Sequence, residues 1–367
     1  MALRYLPYAA ALALILGAGF LFSGCYTLAQ GVTLLGYLAR AVPLEELAGV
    51  QAAKSAASPG EAEDAGARLF VERVREIRRF ARDLGLKESA NYTAYVELDR
   101  DYLAAVVSAA AADSFTTHEW WFPVVGRVPY KGFFNPAASR REGDKLRKKG
   151  LDVWIRGVDG FSTLGWFKDP LYSYMRNYSD YRLANLLIHE LLHATVYLKG
   201  QSQFNEELAE FVGTEGARLY IEKKYGPESP EYRELADSEA DTAAYVAYLR
   251  GLIAELEEVY QSPADREEKL ARKAELIEQS QIRFGRDYDA LFKGQAYRAF
   301  TDLPVNNAYL ELYRLYYEGN SFYRDLYETS GRDLGRYIAA AKTLNSRERD
   351  PKAALARALA ESPGKPF

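Results

Sequence analysis

The spacing of apolar and polar positions changes along the chain, from mixed helical and extended segments to a long helical half. Residues 68–84 place apolar side chains at helical spacing and Arg and Glu on a solvated face, which predicts an amphipathic helix. Tyr26–Val50 is also predicted to be helical, and Gln51–Gly66 has the composition of a flexible linker. Residues 102–112 fit either a strand or a helix. Short extended segments are predicted over Tyr92–Glu97, residues 120–134 and Leu151–Ile155.

Downstream of residue 178 the spacing is helical almost throughout. Ser179 or Asp180 is the predicted N-cap of a helix with a buried apolar face, and Gly200 is a stop signal at or just beyond its end. Ser262 is a predicted N-cap with Pro263 at the first helical position. Further helices are predicted over residues 206–224, 231–260, 264–284, 306–317, 333–344 and 351–360.

These elements predict an α+β fold that is mostly helical. A small mixed sheet is expected upstream of the helix that begins near Asp180, and the C-terminal half is expected to be helical. The predicted organisation is a leader over residues 1–24, an N-terminal helix and linker over 25–66, an α/β half over 67–200 and a helical half over 201–367.

The composition is that of an ordinary globular protein. Of 367 residues, 48% are hydrophobic, and 47 Lys and Arg stand against 51 Asp and Glu, for a formal net charge of −4. This balance gives no basic surplus, so no nucleic-acid partner is expected.

The N-terminus has the pattern of an export signal. Arg4 precedes an apolar run over residues 6–22, and the small residues Ser23 and Gly24 lead to Cys25, the only cysteine. This end of the run resembles a bacterial lipobox, which implies a lipid on Cys25 and a protein tethered to the membrane at the cell envelope. In a bacterium with two membranes, Tyr26 after the cysteine favours the outer membrane, facing the periplasm. The alternative is an uncleaved membrane anchor.

The strongest chemical signal is His189-Glu190-Leu191-Leu192-His193, an H-E-x-x-H motif. On a helix, residues four apart share one face, so the two imidazoles can reach one metal ion, for which zinc is the expected identity. Glu190 stands beside the first ligand, where it can take a proton from water bound to that metal. The alternative is a pair of histidines packed in the core of an ordinary helix.

A second motif follows, Phe204-Asn205-Glu206-Glu207-Leu208-Ala209-Glu210-Phe211. It resembles the second motif of the gluzincin metallopeptidases, where an Asn-Glu pair opens a helix and its Glu is the third zinc ligand. The resemblance implies a zincin-like fold and makes Glu206 the third ligand, although only twelve residues separate it from His193. Glu210, one turn on, could orient His189. Glu207 is the competing ligand, and on a helix its side chain would point about 100 degrees away from that of Glu206.

A wider set of motifs resembles a bacterial family of lipoproteins named "putative aminopeptidase". In order, they are the Cys25 lipobox, W-W-F-P-V-V-G, S-T-L-G-W-F-x-D-P, H-E-L-L-H and F-N-E-x-x-A. The resemblance implies a peptide substrate. By analogy with gluzincins, an edge strand before the active-site helix would pair with the substrate backbone, or else this segment is an ordinary strand and turn. The residues concerned are Ser162, Thr163, Leu164, Gly165 and Trp166.

The proposed hydrolysis needs further residues to donate to the oxyanion, to act as an acid and to bind the substrate's amine. No histidine lies downstream of His193, so a tyrosine is the favoured donor to the oxyanion, with Tyr297, Tyr309 and Tyr313 as candidates. His118 is either a catalytic acid or a surface or packed histidine. An aminopeptidase also needs an acidic group for the free amine of its substrate, and the candidates are Glu119, Glu207 and Glu215.

The leading hypothesis from the sequence is zinc-dependent peptide-bond hydrolysis at the cell envelope, by an aminopeptidase with Glu190 as general base. One alternative is a zinc endopeptidase. The other is a non-catalytic envelope lipoprotein in which zinc only braces two helices, but such a site would be closed by four protein ligands.

Overall fold

A computed structural model of the chain describes residues 24–47, 61–122, 126–158, 169–317 and 321–361. Its α-helices, in chain order, are α1 Gly24–Ala39, α2 Glu61–Asp83, α3 Pro136–Arg147, α4 Asp180–Thr195, α5 Ser202–Tyr225, α6 Pro230–Gln261, α7 Arg266–Leu291, α8 Asn307–Tyr317, α9 Ser321–Thr329, α10 Leu334–Ala341 and α11 Pro351–Glu361. Its strands are β1 Val42–Pro43, β2 Ala94–Val96, β3 Ala104–Ala111, β4 Trp120–Phe122, β5 Gly126–Val128, β6 Tyr130–Phe133, β7 Leu151–Val158 and β8 Leu171–Tyr172. The mostly helical α+β fold class is therefore confirmed.

The described residues fall into two compact units. Unit A contains residues 24–41, 102–122, 126–158 and 244–315, and unit B contains residues 42–47, 61–101, 169–243, 316–317 and 321–361. Each unit is built from segments that are distant in sequence.

Unit A contains an antiparallel sheet in the order β6-β3-β7, with β3 paired to β7 from Ala104↔Val158 to Ala111↔Leu151. Helix α3 packs on this sheet, where Val107, Leu146 and Val153 are buried. The segment that fits either a strand or a helix from its sequence is thus the central strand β3. Its residues are small, and nearly all are buried on both faces, so no alternation of apolar and polar positions marks it as a strand.

The C-terminal part of α6 packs with α7 in unit A around a core rich in aromatic rings. Phe284 and Tyr288 are fully buried there, and Phe284 meets Phe300 with ring centroids 4.7 Å apart. Many of the tyrosines in the sequence therefore serve as core residues whose hydroxyls find internal partners.

Unit B holds a small mixed sheet in the order β1-β2-β8, antiparallel between β1 and β2 and parallel between β2 and β8. Helices α2, α4 and α5 pack against one another beside it. A small mixed sheet upstream of the H-E-x-x-H helix is what the sequence predicts, and this part of the fold is confirmed.

Several predicted element boundaries are wrong, among them the following three. The helix predicted over Tyr26–Val50 ends at Ala39, because Pro43 has no N–H to donate and restricts the residue before it, and the chain enters β1 instead. Helix α2 begins at Glu61, inside the predicted linker. The N-cap of α7 is Asp265 rather than Ser262, since the Asp265 carboxylate accepts a hydrogen bond from Glu268 N at 2.9 Å.

Residues 1–23 of the predicted leader lie outside the described residues, and Cys25 falls within the first turn of α1. Among the residues that the structure describes, no helix combines the length and the hydrophobicity needed to cross a membrane.

Candidate metal centre

The H-E-x-x-H motif lies on α4, as predicted. The Ser179 hydroxyl caps this helix by accepting from Arg182 N at 3.2 Å. Leu183, Leu187 and Leu191 follow at helical spacing and are buried. The histidines lie on another face of the same helix, so burial of the leucine face fixes the direction in which both imidazoles point.

A charged network anchors the N-terminal end of α4 to α2 and α5. The Asp180 carboxylate accepts from Arg73 Nε at 2.6 Å and from the Tyr225 hydroxyl at 2.6 Å, and it lies 2.8 Å from Lys224 Nζ. Burial alone would raise the pKa of Asp180, but these three donors together hold it below its usual value. The anionic carboxylate also stands in the first helical turn, where it complements the positive end of the helix dipole.

The loop between α4 and α5 is held by the asparagine of the second motif. Asn205 is buried, its Oδ1 accepts from Leu198 N at 2.9 Å, and its Nδ2 donates to Leu198 O at 2.9 Å. One side chain therefore satisfies both polar backbone groups of a loop residue. This clamp explains how twelve residues suffice between His193 and Glu206.

Helices α4 and α5 approach each other closely because α5 has glycines at the contact. A Cβ added at Gly213 would lie 3.0 Å from His189 Cβ and 3.1 Å from Asn185 O. At Gly216 it would lie 3.0 Å from Ile188 Cγ2. Any larger residue at Gly213 would push directly on the side chain of the first histidine and on the backbone of Asn185.

His189, His193 and Glu206 meet where the two helices face each other. Glu206 Oε2 lies 3.7 Å from His189 Nε2, and Glu206 Oε1 lies 3.5 Å from His193 Nε2. The two imidazole rings are 4.9 Å apart and nearly perpendicular. One ligand atom from each of the three residues lies within 4.8 Å of the others, so the three could hold a metal ion together.

The electrostatics of the three groups favour a bound cation. Desolvation would raise the pKa of Glu206, but its attraction to the nearby His189 and His193 imidazoles lowers it to about 2, so the carboxylate is anionic at neutral pH. Desolvation lowers the pKa of His189, yet the Glu206, Glu190 and Glu210 carboxylates outweigh it and raise this pKa. His189 is therefore surrounded by negative charge.

The donor set fits zinc. Two nitrogens and one oxygen are the ligands that zinc takes in catalytic sites, and two ligands of a tetrahedral zinc lie about 3.4 Å apart. Both ring nitrogens of His193 are buried without a hydrogen-bond partner among the described residues, which costs free energy unless a ligand such as a metal ion satisfies one of them. The Glu206 side chain is 60% exposed, so one side of the centre is open to solvent.

The two neighbouring glutamates have different surroundings. Glu207 accepts from the Tyr323 hydroxyl at 3.1 Å and lies 2.8 Å from Lys352 Nζ, so its carboxylate is held by α9 and α11 instead of facing the histidines. Glu210 Oε2 is 3.7 Å from His189 Nδ1, beside the nitrogen that the sequence predicts it to orient, but beyond hydrogen-bond distance.

The tyrosines predicted as oxyanion donors belong to unit A, whereas the candidate metal centre belongs to unit B. The Tyr309 hydroxyl forms a hydrogen bond with Tyr245 and donates to the Tyr313 hydroxyl at 3.4 Å. The Tyr297 ring stacks on Tyr245 at 4.2 Å between centroids. These rings form part of the core of unit A, and their assignment as donors stays a prediction.

The other predicted residues are placed as follows. Glu215 is buried and bound to Arg218, with Glu215 Oε2 3.1 Å from Arg218 Nε. Glu119 is exposed in unit A, 3.7 Å from Arg127. His118 packs edge-on against Trp120 at 4.6 Å, which agrees with the packed alternative. The predicted substrate strand over residues 162–166 lies outside the described residues.

Two tyrosines of unit B were missed from the sequence. The Tyr197 ring lies 6.5 Å from the His193 ring, nearly perpendicular to it, and is 38% exposed. Tyr92 is buried at a backbone φ of 60°, and its burial and the Glu190 carboxylate raise its pKa well above the usual value. Tyr197 lies beyond the end of α4 at Thr195, so helical spacing from His193 does not predict this contact. The proximity of Tyr92 to Glu190 depends on the fold alone.

Fold and site together define a mostly helical α+β protein with an H-E-x-x-H candidate metal centre. Residues 26–355 match the family described as "Putative aminopeptidase", and the chain belongs to that family. The family description implies peptide hydrolysis. The comparisons found no matching curated protein and no matching solved structure.

Proposed function

We propose that the chain is a zinc-dependent peptidase in which His189, His193 and Glu206 hold the ion and Glu190 is the general base. The observation that supports this most is the convergence of three ligand atoms within 4.8 Å of one another, beside the half-buried Glu190 on the helix that contains both histidines. A zinc ion there would act as a Lewis acid that polarises the scissile carbonyl and makes water more acidic.

In this proposal, Glu190 is the residue that transfers protons. It is adjacent to His189 and half-buried on α4, so it faces substrate and water without being fully hydrated. As a carboxylate it accepts a proton from the attacking water, and it then delivers that proton to the nitrogen of the leaving amine. The same side chain therefore serves as base and as acid.

Tyr197 is proposed as the donor to the substrate carbonyl oxygen, where negative charge develops. It stands against His193 in the unit that contains the centre, and its ring is partly exposed. A phenol donates one hydrogen bond and needs no change of charge to do so, which suits stabilisation of an oxyanion.

Aminopeptidase action is supported by the family description. Two of the acidic residues predicted to bind the substrate amine are already neutralised, Glu207 by Lys352 and Glu215 by Arg218. A substrate ammonium would have to displace those partners. Envelope tethering through a lipid on Cys25 is proposed from the apolar run and the residues before the cysteine.

Hydrolysis of a peptide library tests the proposal, with wild type beside Glu190→Gln and zinc measured on the same samples. The variant is expected to keep its zinc and to lose hydrolysis by about 10²–10⁴-fold, because the amide cannot accept the proton. Unchanged hydrolysis in Glu190→Gln would disprove the assigned base. Zinc in both samples with no cleavage of any peptide would point to a bracing zinc site.

N-terminal acetylation of the same peptides separates the two modes of cleavage. An aminopeptidase needs the free ammonium group and should not cleave the blocked peptides. Cleavage of both sets at internal bonds would assign endopeptidase action instead.

A further inference from the structure

A basic cavity in unit B is not used by the proposed reaction. It has a volume of about 260 Å³ and lies between the C-terminal half of α2 and residues 86–89. Five cationic side chains line it: Arg75, Arg78, Arg79, Arg82 and Lys87. The sequence alone indicates a solvated helix face here, but a solvated face does not require that the cations converge on one cavity.

The five cations that line the cavity outnumber the three carboxylates beside them by two. Glu88 contributes one carboxylate to the lining. Glu45 pairs with Arg75, and Glu72 lies 3.7 Å from Arg75 and 3.8 Å from Arg79. Among the described residues, neither the guanidinium of Arg82 nor the ammonium of Lys87 has an ion-pair partner.

Arg78 is held in place by the loop that forms the opposite wall. Its Nη2 donates to Ser89 O at 2.9 Å and its Nη1 donates to Asn91 O. Burial lowers the pKa of its guanidinium, because the cation is partly removed from water. A fixed, partly desolvated guanidinium with unused N–H groups is a favourable partner for an anion.

The cavity also touches the H-E-x-x-H helix. Leu191 of α4 contributes to the lining, and Lys87 N donates to Thr195 Oγ1 at 2.8 Å at the end of α4. An anion bound in the cavity would therefore join the loop after α2 to the helix that contains both histidines.

We propose that this cavity binds a phosphate group, either as free phosphate or as the headgroup of a lipid. A doubly charged tetrahedral anion matches the surplus of two charges and the forked geometry of arginine. The volume is just below the usual range of small-molecule sites, about 300–1,000 Å³, and suits a small anion better than a peptide. Phosphate binding in this cavity is independent of the proposed peptidase activity.

Calorimetric titration of the full chain in detergent tests the site, with inorganic phosphate at constant ionic strength. The double variant Arg82→Gln/Lys87→Gln removes the two cations that have no partner. Its association constant for phosphate is expected to fall at least about tenfold. The matched control is Arg140→Gln/Lys148→Gln, which removes two exposed cations from unit A and should leave phosphate binding unchanged.

Vesicles of phosphatidylcholine, with and without phosphatidic acid, distinguish the two sources of the phosphate group. Binding of inorganic phosphate that is lost in the cavity variant assigns free phosphate. Binding only to vesicles that contain phosphatidic acid, again lost in the cavity variant, assigns a lipid headgroup. Binding of neither probe, or an equal loss in the control variant, would overturn the proposal.

Discussion

Gly213 lies directly against His189, and a Cβ at residue 213 would come within 3.0 Å of His189 Cβ. The position of His189 therefore depends on Gly213, a residue outside the H-E-x-x-H motif that has no side chain. The spacing between α4 and α5 is set at this contact, and Glu206 on α5 reaches both histidines from there.

Gly213→Ala should destabilise the protein, although Gly→Ala within a helix normally stabilises by about 1 kcal/mol. Overpacking against His189 and Asn185 costs about 1–3 kcal/mol, which exceeds the gain in helix propensity. Displacement of His189 should also weaken zinc binding about tenfold. Urea unfolding and zinc titration measure the two effects.

Gly251→Ala in α6 is the matched control, since a Cβ at that helical glycine would meet nothing within 4 Å. It should stabilise by up to about 1 kcal/mol and leave zinc affinity unchanged. Equal gains of stability in both variants would show that a Cβ at residue 213 causes no destabilising overpacking.

Glu207→Gln should lower stability without affecting the metal. The carboxylate accepts from Tyr323 and pairs with Lys352, and its side chain is only 14% exposed. Hydrogen bonds to a charged group contribute about 1.5–3 kcal/mol, so a loss of about 1–3 kcal/mol is expected in chemical unfolding. If Glu207→Gln instead releases zinc while its stability stays unchanged, the second motif has been assigned to the wrong glutamate.

Tyr197→Phe should lower kcat by about 10²–10³-fold while zinc content stays the same, because one donor to the developing oxyanion is removed and the ring stays against His193. Steady-state kinetics with zinc analysis measures this. Tyr130→Phe, on an exposed tyrosine of unit A, is the control and should keep wild-type kcat. Full activity in Tyr197→Phe would exclude this hydroxyl as the donor.

The metal-free protein should show a pH window for the attraction between Glu206 and His189. The pKa of Glu206 falls from 4.5 to about 2, so its contribution is present above pH 4.5 and is lost as the pH falls towards 2. The pKa of His189 is raised from 6.5, so its contribution is complete below pH 6.5 and is lost as the pH rises through the raised value. Glu206 and His189 are therefore both charged only between about pH 2 and the raised pKa of His189.

Urea unfolding of the chelator-treated wild type and of Glu206→Gln across this pH range measures the window. The difference in unfolding free energy should be greatest near pH 5–6 and should shrink towards both ends. The effect is expected to be modest because Glu206 is mostly exposed and its charge is screened by solvent. A difference that stays constant with pH would contradict this account of the pair.

Local sequence was sufficient for the helix that presents the motif. The Ser179 cap, the leucine face and the spacing from His189 to His193 are all short-range features, and the structure places them as predicted. The choice of Glu206 over Glu207 followed from the resemblance to a motif, and the contacts of both residues agree with it.

Features that depend on tertiary contacts could not be predicted from the sequence. Nothing local shows that Asn205 would bind the backbone of Leu198, or that Gly213 would face His189, because each needs a neighbour on another element. The N-cap of α7 was misassigned to Ser262 since several adjacent polar residues could cap the helix. The hydrogen bond from Glu268 N to Asp265 distinguishes them only in the fold.

Zinc stoichiometry of the purified chain tests the central claim most directly, with wild type beside Glu206→Ala and Glu207→Ala after exhaustive dialysis. The account predicts about one zinc per wild-type chain, most of it lost in Glu206→Ala and all of it kept in Glu207→Ala. A wild-type chain without zinc, or full zinc in Glu206→Ala, would contradict it and return His189 and His193 to the role of packed histidines.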